Sequence, residues 1–132
     1  MISFKTDEDI KMLRESGAIL SAILKNLVDE SKIGVSLINL DSLASQLIKS
    51  FGAKSAFLGY KSESYSKPYS ASICVSLNDQ IVHGIPGSYK LKNGDVLKID
   101  LGLKYKGFYT DTAITVGVGK ISSAAEKLIA VT

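Results

Sequence analysis

Asp100 and Asp111 are the residues whose type and spacing point most directly to chemistry. They lie in the segment VLKIDLGLKYKGFYTDTAITVG, residues 96–117. Its alternation reads as two strands joined by a short turn. If Leu103 faces Phe108 across a loop from Lys104 to Gly107, Asp100 falls directly opposite Asp111 on one face. Like charges in that position destabilise a sheet. A shared cation reverses the sign, so the pair reads as half of a metal site. Carboxylate oxygens are hard ligands for Mn, Mg or Fe(II), and with imidazole for Zn and Co. A bridging carboxylate can hold two ions ~3.5–4 Å apart. Two ligands are too few, and about two or three more acids or histidines are needed. Glu63 and Asp95 are the remaining acids considered, and neither has a position that the sequence argues for. The missing ligands are expected outside this chain.

His83 is the only histidine. It lies between a short apolar stretch read as a strand and a turn containing Gly84 and Pro86. A lone histidine is more often structural. Beside a metal, a neutral imidazole can donate to a substrate carbonyl or an oxyanion. Cys74 points away from the apolar face of its strand, and the plain reading is a small buried hydrophobe. Tyr60, Tyr65 and Tyr69 sit in a loop spanning residues 56–70, where lining a pocket and packing on the body are equally expected.

The elements that position these groups are legible from periodicity. Residues 6–30 read as a helix opened by Thr6 and Asp9 at capping-box spacing. Ile10, Leu13, Gly17, Leu20, Leu24, Leu27 and Val28 form its stripe. A second helix starts near Ser36, with Leu40, Leu43, Leu47 and Phe51 on one face, and stops at Gly52. Ala71, Ile73, Val75 and Leu77 alternate as a half-buried strand. In the hairpin, Leu97, Ile99, Leu101 and Leu103 share a face with Phe108, Ile114 and Val116. The other face carries Lys98, Asp100, Gly102, Tyr109, Asp111, Ala113 and Thr115. Gly102 and Ala113 leave room there for a close approach. Ser123 and Glu126 read as a second capping box, opening a helix whose residues Leu128, Ile129 and Val131 have nothing after them to pack against.

Composition narrows the alternatives. The 132 residues are 45% hydrophobic and 22% charged, as in an ordinary globular domain. The net charge of +3 is scattered, which argues against nucleic-acid binding. One cysteine excludes an internal disulfide and fits a reducing compartment. No signal peptide and no membrane-spanning run is present.

The run SICVSLNDQIVHGIP, residues 72–86, resembles the central signature of methionine aminopeptidases. So do LKNGDVLKIDLG at 91–102, GFYTDTA at 107–113 and Val116-Gly117. The segments RESG at 14–17 and FLGY at 57–60 are similar to the type I form. The resemblance implies an α+β, pita-bread fold: two αβ halves related by a pseudo-twofold around a curved antiparallel sheet. It implies removal of the initiator methionine from nascent chains, in the cytoplasm and at the ribosome, with two divalent ions (Co, Mn, Fe or Zn). It further implies Asp100 as a metal ligand, Asp111 as the bridging ligand and His83 as the group that contacts substrate and stabilises the transition state. Cys74 and Tyr60 would line the methionine pocket. The histidine and glutamate ligands of the family's second half have no counterpart here. The sequence therefore reads as one incomplete domain over 1–132, the N-terminal half, expected to be inactive alone and to self-associate. Two alternatives are a proline-directed aminopeptidase of the same fold, disfavoured by the short N-terminus, and a non-catalytic pita-bread binding module, disfavoured by the two aspartates.

Overall fold

The structure, a computed structural model, describes residues 4–61 and 67–132. Helix α1 (Asp7–Glu30) opens as the sequence predicts. The Thr6 hydroxyl accepts from the Asp9 amide, and the Asp9 carboxylate accepts from the Thr6 amide. Its buried line is Ser16, Leu20, Ile23, Leu24 and Leu27. Ser16 tolerates burial because its hydroxyl meets that of Thr110 at 2.7 Å. Helix α2 (Leu37–Ser50) is capped by Ser36 and ends before Gly52, whose φ of +69° suits glycine. It buries Leu37, Leu40, Ala44 and Ile48. The face is rotated from the predicted one: Leu43 and Leu47 flank the core, and Phe51, at the end of the helix, is exposed.

The sheet is built on β3 (Val96–Tyr105). One edge of β3 pairs along its length with β4 (Phe108–Gly117). The other edge is shared by β2 (Cys74–Leu77) and the two-residue β1 (Lys54–Ser55), all antiparallel. Leu97, Ile99, Leu101 and Leu103 point into the helical layer and are fully buried. They join Ile73, Val75 and the buried lines of α1 and α2 in one core. Fully burying a leucine-sized side chain contributes about 1.5–3 kcal/mol, so this central row ties both helices to the sheet.

Three local expectations are corrected. The strand before the hairpin is buried on both faces, because Ser72, Cys74 and Ser76 are covered as well as Ile73 and Val75. The stretch before His83 is no strand, and Ile81 and Val82 stand in solvent. Helix α3 (Ser123–Val131) is capped by Ser122, whose hydroxyl accepts from the Ala125 amide. Ser123 is therefore its first residue, and Glu126 lies one position too late for a reciprocal box. The helix has no buried residue, and Leu128 and Val131 are exposed as its unpartnered pattern suggests.

Candidate metal centre

The hairpin turn sets the geometry of the site. The strands continue to Tyr105 and Phe108, which pair, leaving only Lys106 and Gly107 between them. Their φ values are +48° and +91°, the left-handed pair of a two-residue turn that follows strand twist. The four-residue loop read from the sequence is thus too long by two. Asp100 pairs with Ala113, and Asp111 with Gly102. The aspartates are diagonal neighbours on one face, not directly opposed. Diagonal positions lie roughly 7–8 Å apart in such a ladder, and two short carboxylates can converge across that span.

Gly102 makes the convergence possible. A methyl group there would stand 3.0 Å from Asp111 Oδ2 and 2.7 Å from Phe57 Cε1. The Asp111 carboxylate therefore lies over the bare backbone of β3, with the Phe57 ring beside it. Asp100 Oδ1 is shielded from solvent and accepts no hydrogen bond from any described residue. Burial, and then the Asp111 charge, push the Asp100 carboxyl above its usual range, with His83 partly opposing them. A shielded, unpaired carboxylate oxygen beside a second carboxylate fits a cation, and the hard oxygen donors suit a divalent one. Among the described residues no group of three or more His, Cys, Asp or Glu completes such a site.

Cys74 is the Cα partner of Asp100 across β2 and β3, so it shares the face with both aspartates. Burial raises its thiol pKa most; a Tyr69 hydrogen bond opposes this, and both aspartates add to it. The thiol is thereby kept protonated and apolar in character. His83 is exposed on the segment flanking the far edge of β2, where the Val75 amide donates to the Gly84 carbonyl at 2.9 Å. The preceding turn is pinned by the Lys98 ammonium, which donates to the carbonyls of Asn78 and Gln80.

Tyr60 is not brought into this group. It sits at the neck of its loop, where its carbonyl accepts from the Tyr69 amide, and its side chain is 65% exposed. Tyr69 is the tyrosine that faces the site. Its hydroxyl lies 3.0 Å from the carbonyls of both Ile73 and Gly84, and its ring meets Phe57 edge-on at 6.5 Å. Burial, followed by the neighbouring Cys74, raises its pKa steeply. Phe57 and Ser76 were missed by sequence reasoning; Ser76 was detectable as the next residue on the Cys74 face of an alternating strand. Asp95 is removed from the ligand candidates, since both its oxygens are engaged by Asn78, Tyr89 and Lys92. Glu63 and Tyr65 fall outside the described residues.

Known proteins share this fold. A methionine aminopeptidase from Clostridium perfringens is 42% identical over 132 residues, which is 100% of this chain and 51% of that protein. The crystal structure of methionine aminopeptidase from Rickettsia prowazekii superposes with a TM-score of 0.92 at 34% identity, over 100% of this chain and 51% of that one. An Xaa-Pro dipeptidase from Bacillus anthracis is more distant, with a TM-score of 0.75 at 26% identity over 93% of this chain and 32% of its own. The chain thus spans about half the length of the methionine aminopeptidases it matches. The sheet and helices are those of the first half of the Rickettsia structure. The model of metallopeptidase family M24 matches residues 11–132, a span that includes the aspartate hairpin, Cys74 and His83, and the chain belongs to that family.

Proposed function

We propose that this chain supplies one side of the active site of a methionine aminopeptidase, an enzyme that removes the initiator methionine from nascent proteins. The observation that carries the reading is the unpaired, shielded oxygen of Asp100 beside Asp111 over Gly102. Membership of a metallopeptidase family supports it, as does similarity over the whole of this chain to about half of a methionine aminopeptidase. The weaker likeness to an Xaa-Pro dipeptidase ranks a proline-directed activity second.

In this reading Asp100 and Asp111 would be ligands for a pair of divalent cations (Co, Mn, Fe or Zn). When bound, such cations polarise the substrate carbonyl and activate water. His83 donates a hydrogen bond toward the oxygen that gains charge. Cys74, protonated and apolar, lines the pocket for the methionine side chain; Tyr60, exposed and apart from Cys74 in this structure, is a lining residue by the sequence resemblance alone. Peptides with N-terminal methionine, met as nascent chains at the cytoplasmic ribosome, are the proposed partners. Among the described residues no helix is long and apolar enough to cross a membrane.

The remaining ligands must come from residues other than those described, so the 132-residue chain alone should release little or no methionine from a Met-Ala-Ser peptide with Mn or Co present. Robust release would refute that. Calorimetric titration with Mn should give weak binding that both Asp100→Asn and Asp111→Asn abolish. Equal binding in all three proteins would remove the metal reading and favour a non-catalytic module. Sedimentation should show self-association of the isolated chain through its open sheet face and the free edge of β4.

A further inference from the structure

His83 adopts a φ of +59°, a left-handed conformation uncommon for residues with a side chain, although histidine enters it more readily than most. What holds it there is visible in the residues around it. Gly84 is pressed onto β2 so closely that a methyl group there would overlap the Val75 carbonyl. The Val75 amide donates to the Gly84 carbonyl at 2.9 Å. The Gly84 amide donates to Ser76 Oγ at 3.0 Å. The Tyr69 hydroxyl approaches the Gly84 carbonyl at 3.0 Å and shares its proton with the Ile73 carbonyl. One backbone bond fixes the distance of the turn from β2 but leaves it free to rock about that bond. Two hydroxyls, Ser76 at the Gly84 amide and Tyr69 at the Gly84 carbonyl, remove the rocking. Both are built in: Ser76 is buried, and Tyr69 is half-buried against Phe57.

We propose that Tyr69 and Ser76 are positioning residues for His83, their hydroxyls locking the His83–Gly84 turn onto β2, the strand that pairs with β3 at Asp100. What His83 does there rests on the aminopeptidase reading; how it is held does not.

The test uses NMR of the whole chain without metal or substrate, so a failed peptidase assay leaves its outcome untouched. The backbone carbon shifts of His83 report its left-handed conformation, and the Gly84 amide reports the lock through hydrogen exchange. Tyr69→Phe is the discriminating variant, because it removes no partner of the Gly84 amide. It should still speed exchange at Gly84, by about tenfold or more in the Tyr69→Phe/Ser76→Ala double variant. The His83 shifts should move toward extended values, while exchange at Ile99 and Leu101 in β3 stays unchanged. Ser76→Thr, which keeps a hydroxyl, should restore protection lost in Ser76→Ala. Unchanged His83 shifts and Gly84 exchange in Tyr69→Phe would overturn the proposal. So would an equal acceleration across β3, which would mark Tyr69 and Ser76 as general supports of the core.

Discussion

Asp95 and Asp100 are five residues apart on one stretch of chain and have been put to opposite uses. Asp95 is 7% exposed, yet each of its oxygens is engaged: Asn78 Nδ2 at 3.1 Å, the Tyr89 hydroxyl at 3.1 Å and the Lys92 amide at 2.8 Å. Burial raises its pKa, but these bonds outweigh burial and hold the carboxyl below its usual range. Asp100 has a shielded oxygen with no partner and a pKa raised by burial and by Asp111. One carboxylate closes a turn; the other is left open. A buried charge is tolerated when the chain satisfies it; one left unsatisfied calls for a partner, the part that the proposed metal reading gives to a cation.

Four substitutions or conditions bear on that contrast. Asp95→Ala should have the largest effect, a loss of about 3 kcal/mol in urea unfolding, because it strands buried donors around the turn. An effect under about 1 kcal/mol would erase the distinction between the two aspartates. Gly102→Ala should cost about 2 kcal/mol through overlap with Phe57, and it should weaken Mn binding by displacing the Asp111 carboxylate. The two readouts separate if Phe57 yields and Asp111 does not. The acid limb of stability should come next. The folded pKa of Asp95 is lowered, so its contribution is present above the unfolded value near ~4 and is lost as pH falls through the folded value. Unfolding midpoints measured over that acid range should fall less steeply in Asp95→Asn. Smallest, and of opposite sign, is Asp100→Asn in the metal-free chain. Relief of like-charge repulsion should raise stability by about 0.5 kcal/mol, with Mn binding lost in the same protein.

The sequence carried the two-faced hairpin, both long helices and the Asp100–Asp111 face, because these follow from periodicities of two and of three to four. It did not carry the register. Lys106 in a left-handed conformation is an uncommon choice, so the turn lacked the Asn-Gly or Asp-Gly mark that would have announced two residues. It did not distinguish Tyr60 from Tyr69 either, since which tyrosine turns inward depends on how Tyr60 and Tyr69 pair at the neck of the loop. The apolar Ile81 and Val82 suggested a strand, yet they belong to an exposed segment whose order comes from Lys98 and from the bonds at Gly84. Non-local hydrogen bonds of that kind leave no periodic trace.

The Lys106–Gly107 turn works as a spacer gauge. Because a strand's side chains repeat every two residues, a turn that took up two residues of β3 would leave Asp111 on the same face but set it opposite Asp100 instead of Gly102. Changing it by one would send Asp111 to the helical side altogether. The gap between the two carboxylates is therefore set by the length of a turn built from Lys106 and Gly107. On the metal reading proposed above, a length change in that turn would alter cation binding with both aspartates still in place.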